Sequence, residues 1–212
     1  MADDPRPSRA SAARLSLYLR CLEDWRRDGL ATTSSKALAD ALGIRDTQVR
    51  RDLTYLGRVG RRGVGYRVAD LADLIREALG IDREWSAVVV GAGNLARALL
   101  RYRGFAERGF RIVGLFDADP AKVGQTIEGL EVLPVAELRG RVRRLGAELG
   151  IVAVPYESAQ EVGHLLAAAG TKGVLNFAPA VLRLPAGVAV VNVDLTIQLE
   201  QLAFQVQAGR DG

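Results

Sequence analysis

The sequence predicts an α/β chain in two parts: a winged helix-turn-helix segment, then a Rossmann-like, mostly parallel sheet. Three observations carry this. Before Gly80, three short amphipathic helices lead into a Gly/Arg-rich stretch. After Gly80, short β-branched runs alternate with helical segments, the pattern of a parallel sheet covered on both faces. Within that second part, "VVVGAGNLARALL" (Val88 to Leu100) reads as a strand entering a glycine turn that opens a helix.

Composition sets the outer bounds. With 212 residues and 49% hydrophobic content the chain can bury real cores, which excludes wholesale disorder. No apolar run reaches the roughly 20 residues of a membrane span, so no membrane partner is expected. The start, "MADDPRPSRASAAR", has acids first and no apolar h-region, and is expected to be a flexible arm rather than a signal peptide. The single cysteine, Cys21, excludes a disulfide framework within the chain and a multi-cysteine metal site. A cytoplasmic protein without a metal is the expectation.

The charge is segregated. Residues 1–80 carry 15 Lys and Arg against 11 Asp and Glu, whereas the rest of the chain carries 14 of each. From Arg45 to Arg67 there are seven arginines and only two acids, Asp46 and Asp52. A local excess of that kind is the footprint of a phosphate-binding surface.

In order, Leu15, Leu19, Leu22 and Trp25 form a helical stripe within Arg14–Asp28, ended by Gly29. "TTSS" (Thr32–Ser35) offers N-caps for a second helix with Leu38, Ala41 and Leu42 on one face, and Gly43 stops it. Asp46 is expected to cap a third helix bearing Val49, Leu53 and Leu56. "GRVGRRGVGYRV" (Gly57–Val68), with Val64, Tyr66 and Val68 alternating, predicts a small hairpin with an arginine-rich tip. Asp70–Leu79, closed by Gly80, is a connecting helix. The second part is expected to have strands at Val88–Val90, Ile112–Phe116, Ile151–Val154, Val174–Asn176 and Val188–Val193. Its helices are expected at Asn94–Arg103, Ser158–Ala169 and Asp194–Gln207.

Ala39, Gly43 and Val49 stand four and six residues apart, the helix-turn-helix spacing of a small contact residue, a tight turn and a core anchor. It leaves Thr47, Gln48, Arg50, Arg51, Thr54 and Tyr55 on the outer face. Arg reads guanine O6 and N7, and Gln reads adenine N6 and N7, so the third helix is a candidate DNA reader. Arg58, Arg61 and Arg62 on the hairpin would reach phosphates or the minor groove. A three-helix interaction module with a solvated basic face is the alternative.

Gly91-Ala92-Gly93-Asn94-Leu95-Ala96 is GxGxxA. Gly91 permits the turn, Gly93 lets backbone N–H groups approach a pyrophosphate, and Ala96 keeps helix and strand close. The next strand, "RIVGLFDADP", places Asp117 where a carboxylate bonds a ribose 2′-OH and disfavours a 2′-phosphate. NAD(H) is therefore preferred over NADP(H). "VAVPYE" and "LNFAP" fall where strand ends converge; Pro155 would turn the chain over the ligand, and Asn176, Phe177, Ala178 and Pro179 would line a nicotinamide pocket. A dehydrogenase needs a proton-handling group there. The one histidine, His164, sits mid-helix in "SAQEVGHLLAAAG". No catalytic residue is assigned, and the nucleotide is read as a signal rather than a reagent.

From about Arg14 onward the chain resembles the Rex family of bacterial redox-sensing transcriptional repressors. The resemblance is carried by "TSSKALADALGIRDTQVRRDLTYLGRVGRRGVGY", "VVVGAGNLARAL", "FDADPAKVG" and "GVLNFAP". It implies a homodimer that is not an enzyme, holding an inverted-repeat (palindromic) double-stranded DNA operator and released when NADH binds. NADH and NAD+ are then competing regulatory ligands. It implies a winged-helix domain over residues 1–80, a Rossmann domain over 81–193, and a C-terminal helix, 194–212, swapped onto the partner.

The expected cofactor contacts are Gly91 to Ala96, Asp117, Lys122, Val154, Pro155 and Asn176 to Pro179. The expected DNA contacts are Ser35, Lys36, Thr47, Gln48, Arg50, Arg51, Tyr55, Arg58, Arg61, Arg62 and Tyr66. Arg20, Tyr102 and Asp194 are expected to form a switch, with Asp194 bonded to Tyr102 in one state and paired with Arg20 in the other. Many members have Gly where this chain has Ala96. Three alternatives stay open here: an NAD-dependent oxidoreductase with an added N-terminal module, a CoA-binding ligase-type subunit, and a DNA binder whose nucleotide is structural.

Overall fold

The computed structural model of the chain describes residues 7–57, 60 and 65–209. Two compact units, divided between Arg83 and Glu84, make up the chain.

In the first unit, α1 (Arg9–Arg27) begins five residues before Arg14, because the Ser8 hydroxyl accepts the Ser11 N–H and caps it there. Leu15, Tyr18, Leu19 and Leu22 recur at helical spacing and are fully or nearly fully buried. Strand β1 (Thr32–Thr33) precedes α2 (Ser35–Leu42), whose N-cap is Ser34, with its hydroxyl accepting the Ala37 N–H. Gly43 then takes the left-handed conformation, φ +66°, and α3 (Asp46–Leu53) follows. Asp46 is its first residue rather than its cap; Arg45 is the cap, and Asp46 instead pairs with Arg50 one turn on.

The hairpin expectation needs correction in the part that is described. Strand β2 (Tyr66–Arg67) pairs antiparallel with β1, Thr33 opposite Tyr66 and Thr32 opposite Arg67. Val68 is not a strand residue but the first of α4 (Val68–Leu79), 1% exposed, with its N–H donated to Ala31 O. Burial of a β-branched side chain in the helical core decides the assignment over the local alternation. Val59 and Val64, and Arg58, Arg61 and Arg62 with the role expected of them, lie outside the described residues. The core joins Leu15, Tyr18, Leu19 and Leu22 to Leu38, Val49, Leu53, Leu71 and Ile75. Each full burial of such a side chain contributes about 1.5–3 kcal/mol before entropy is counted.

The second unit is a seven-stranded sheet with helices on both faces. Its elements are β3 (Trp85–Val90), α5 (Asn94–Arg101), β4 (Phe110–Asp117), β5 (Thr126–Ile127), β6 (Leu130–Pro134) and α6 (Leu138–Leu145), then β7 (Leu149–Val152), α7 (Tyr156–Ala169), β8 (Gly173–Asn176), β9 (Ala189–Asn192) and α8 (Leu195–Ala208). The strand order is β5-β6-β4-β3-β7-β8-β9, parallel except for the β5–β6 hairpin at one edge. No element was expected between Ala118 and Glu148, where β5, β6 and α6 lie. Alpha-6 carries only Leu138, Val142 and Leu145 among four arginines, too narrow a stripe to stand out. Side chains alternate across the sheet: Ala87, Val89, Leu115 and Ile151 pack on the α5 face, and Val88, Val90, Phe116 and Val152 on the α6–α7 face.

Strand β3 has β4 on one side and β7 on the other, so the chain reverses direction across the sheet there. Such a switch point leaves a crevice at the strand C-termini. No helix among the described residues is long and apolar enough to cross a membrane.

Candidate functional site

In the first unit the exposed surface of α3 is held in place by a buried acid. Asp52, 1% exposed, accepts Arg14 Nε at 2.6 Å and Nη2 at 2.7 Å, the Tyr18 hydroxyl at 2.7 Å, and Gln48 Nε2 at 3.1 Å. Burial alone would push its carboxyl up, but the hydrogen bonds from Arg14 and Tyr18, the Arg14 charge and the Gln48 bond hold it below the ordinary carboxylate value. Burial and the bond to Asp52 push the Tyr18 phenol up, so it stays a donor.

The network revises one expectation. Gln48 is half-buried, and its amide nitrogen is turned toward Asp52, so it is not a side chain freely presenting both amide groups outward. Arg50 donates through Nε to Ser35, 3.1 Å, and through Nη2 to Asp46, 2.8 Å, and Ser35 is itself buried. Lys36 pairs with Asp40 at 2.8 Å. Thr47, Arg51 and Tyr55 are exposed, and Tyr66 is half-buried on β2. Among the described residues, Arg51 is thus the guanidinium of α3 without a side-chain partner.

In the second unit a cavity of about 510 Å³ opens at the switch point. It is lined by Gly91, Gly93, Asn94 and Leu95, by Asp117 and Lys122, and by Val154 and Pro155. Gly91 has φ +105°, and a Cβ there would lie 2.2 Å from Ala153 O, so the turn is closed to any larger residue. A Cβ on Gly93 would meet nothing within 4 Å; the space beside it is open. Ala96 is fully buried and lets α5 lie on the sheet. The first N–H groups of α5 have no acceptor within the helix, which makes its N-terminus a place for an anion.

Asp117 stands at the end of β4, 8% exposed. Its Oδ2 accepts the Ala92 N–H at 2.7 Å and Lys122 Nζ at 3.1 Å, and its Oδ1 accepts the Asp119 N–H at 2.8 Å. Burial pushes this carboxyl up; the Asp119 and Ala92 amides and Lys122 outweigh it and hold it below the usual range. The donor set of the site fits a dinucleotide: an open backbone cradle for a pyrophosphate beside an ionised carboxylate for a ribose diol.

The stretch from Asn176 to Pro179 lies outside this cavity's lining. Asn176 is fully buried, its Nδ2 donating to Ala178 O, Ala180 O and Asn192 Oδ1 while its Oδ1 accepts the Ala178 N–H. It shapes the turn after β8, and Phe177 packs partly buried on the α5 side of the sheet. His164 shares its Nε2 with the Gln160 amide and Arg183 O, tying α7 to the loop before β9.

Eight lining residues were not foreseen: Val90, Ala118, Val135 and Ala153, and from α7 Ser158, Glu161, Val162 and Leu165. The helical spacing of the α7 residues is legible in the sequence, but their position over the cleft depends on α7 packing against α6 and β7.

Of the expected switch residues, Arg20 is exposed on α1. Tyr102 caps the end of α5, 56% exposed, its ring edge-on to Phe105 at 5.2 Å. Asp194 caps α8, its Oδ1 accepting the Thr196 and Ile197 N–H groups. Alpha-8 buries none of its residues in the unit: Leu195, Leu199, Leu202, Phe204 and Val206 are all more than half exposed.

The family profile described as "CoA binding domain" matches residues 82–180, and that described as "Putative DNA-binding protein N-terminus" matches residues 8–54. The redox-sensing transcriptional repressor Rex of Carboxydothermus hydrogenoformans is 50% identical over 93% of this chain and 95% of its own. The Rex protein of Desulfitobacterium hafniense is 47% identical over 95% of this chain and 96% of its own. Among solved structures, the Rex-family repressor RSP in complex with β-NAD+ and operator DNA matches with a TM-score of 0.91 and 32% identity, covering 96% of this chain and 94% of that one. The same protein with β-NADH matches with a TM-score of 0.87, 31% identity and coverage of 96% and 95%. On the strength of near-full-length identity this high, the chain belongs to the Rex family of redox-sensing transcriptional repressors.

Proposed function

We propose that this protein represses transcription by holding a palindromic operator as a homodimer, and that NADH, in competition with NAD+, releases it. What carries the reading is one chain that holds both an arginine-bearing α3 and a dinucleotide cleft, and that is matched nearly end to end by a repressor solved with NAD+ and operator DNA. In it, residues 1–80 read DNA, 81–193 hold the nucleotide, and 194–212 dimerise by exchange of α8. The unburied apolar side chains of α8 support a second copy as their cover.

At the DNA, Arg51 contacts a guanine edge or a phosphate, Thr47, Tyr55 and Lys36 contact the backbone, and Arg58, Arg61 and Arg62 reach flanking phosphates. At the cleft, the α5 N-terminus and Gly93 take the pyrophosphate, Asp117 takes the adenosine ribose, and Lys122 neutralises its surroundings. The nicotinamide reaches the turn beyond β8 near Phe177, where an apolar lining disfavours the cationic ring of NAD+. A ligand shifts a two-state dimer only through its differential affinity for the two states. Asp194, Tyr102 and Arg20 are the groups through which that difference reaches the DNA-binding domains.

The test is fluorescence anisotropy of a labelled palindromic operator, titrated with NADH at several fixed NAD+ concentrations. Release by NADH, displaced to higher NADH as NAD+ rises, is the expected result. Operator affinity indifferent to NADH overturns the sensor reading and leaves the nucleotide structural.

A further inference from the structure

The cleft extends beyond the glycine turn and Asp117 to a wall formed by α7. Ser158, Glu161, Val162 and Leu165 line it, at i, i+3, i+4 and i+7 of that helix, together with Val135 and Val154. Val162 belongs to the core of that face, and Val135, Val154 and Leu165 pack against it, so this end of the cleft is apolar and rigidly backed. The polar side chains that α7 contributes are Ser158 and Glu161. The Glu161 carboxylate is exposed and takes part in no hydrogen bond or ion pair among the described residues.

A dinucleotide held with its pyrophosphate at Gly91 and Gly93 and its ribose at Asp117 sends its base onward from the ribose. The apolar slot backed by Val135, Val162 and Leu165 suits the faces of a purine, and the exposed Glu161 lines the same cleft. An ionised carboxylate is an acceptor only. Adenine offers a single kind of donor on its edges, the 6-amino group. Resting on the dinucleotide reading above, we propose that Glu161 determines base specificity, accepting a hydrogen bond from the adenine 6-amino group and rejecting a purine with a 6-oxo group.

The probe is the reduced nicotinamide hypoxanthine dinucleotide, which differs from NADH by a 6-oxo acceptor in place of the amine and by a proton on N1, so the donor at position 6 is lost. Direct titration of the full chain, followed by nicotinamide fluorescence, should show NADH bound roughly tenfold more tightly, as expected for one hydrogen bond to a charged group. In Glu161→Gln the amide rotates to offer either an acceptor or a donor, and the preference should fall to within about twofold. Operator binding without nucleotide should be unchanged, because the side chain is exposed and makes no hydrogen bond or ion pair among the described residues. A wild-type chain that binds both dinucleotides equally, or prefers the 6-oxo form, overturns the assignment while leaving the dinucleotide reading intact. So does a Glu161→Gln chain that keeps the full preference. A chain that binds neither dinucleotide overturns the reading and the assignment together.

Discussion

Arg14 grips Asp52 with two nitrogens, Nε at 2.6 Å and Nη2 at 2.7 Å, joining α1 to α3 across 38 residues of sequence. The carboxylate is almost fully buried while the guanidinium is partly in water. Tyr18 adds a third donor from the same helix. Such an arrangement does less for net stability than for uniqueness: two charges leave water to form it. It fixes the rotation of α3, and with it the face of that helix that carries Arg51.

Removing one partner from this network should cost far more than its net contribution. Asp52→Asn leaves Arg14 without its charge partner and should destabilise the N-terminal unit by about 3 kcal/mol at pH 7. Because the folded carboxyl titrates below its unfolded value, its contribution is complete above the ordinary carboxylate pKa near 3.9 and is lost as pH falls through the depressed value. Urea unfolding at pH 7 and at pH 3 should therefore show a gap between wild type and variant that narrows in acid. An undiminished gap at pH 3 would mean that packing, not charge, carries the effect.

The two glycines of the turn should fail differently. Gly91→Ala places a Cβ against Ala153 O in a left-handed backbone, and should lower the stability of the second unit by on the order of 3 kcal/mol. Gly93→Ala meets no neighbour and has φ −92°, so it should fold normally. Its methyl would stand where the pyrophosphate approaches, and NADH affinity should drop at least about tenfold. Thermal unfolding separates the first effect from the second; equal NADH binding by Gly93→Ala and wild type would move the pyrophosphate elsewhere.

Arg51→Ala should weaken operator binding by roughly 5- to 150-fold if the guanidinium reads a base, with NADH binding untouched. Arg50→Ala should do less through DNA and more through the fold, since Arg50 is already engaged by Ser35 and Asp46. Competition with an operator altered at single positions tells the roles apart. A base contact loses discrimination at one position, and a phosphate contact loses affinity uniformly.

Asp194 caps α8, and the proposed switch would give it a second duty that substitution can divide. Serine retains the N-cap of α8, which is worth about 1 kcal/mol, but cannot pair with Arg20 across a switch. Asp194→Ser should keep the dimer and the NADH affinity while NADH no longer drives release from the operator. Sedimentation with NADH-titrated anisotropy reads both. Full release by NADH in this variant removes Asp194 from the switch.

What the sequence determined by itself was the succession of the strongly patterned helices and strands, without β1, β5, β6 or α6, and the chemistry of the turns. Strand, glycine turn and helix at Val88–Leu100, the helix stops at Gly43 and Gly80, and the small-Gly-Val spacing of the DNA-reading segment are all local patterns, set by periodicity and by backbone conformations that only certain residues adopt. Asp117 was legible for the same reason, as the acid ending the strand after the glycines. Tertiary structure decided what those side chains do. Asp52, one acid in an arginine-rich run, becomes the buried anchor of α3 because α1 packs over it. Gln48 turns inward to that anchor, and Asn176 turns inward to hold its own loop. Val68 leaves the hairpin for a helix, and β2 finds its partner at Thr32–Thr33. Glu161 reaches the cleft only through the placement of α7. Each of these depends on a contact between segments far apart in the chain, where burial and hydrogen-bond satisfaction outweigh any preference that a short window of residues can express.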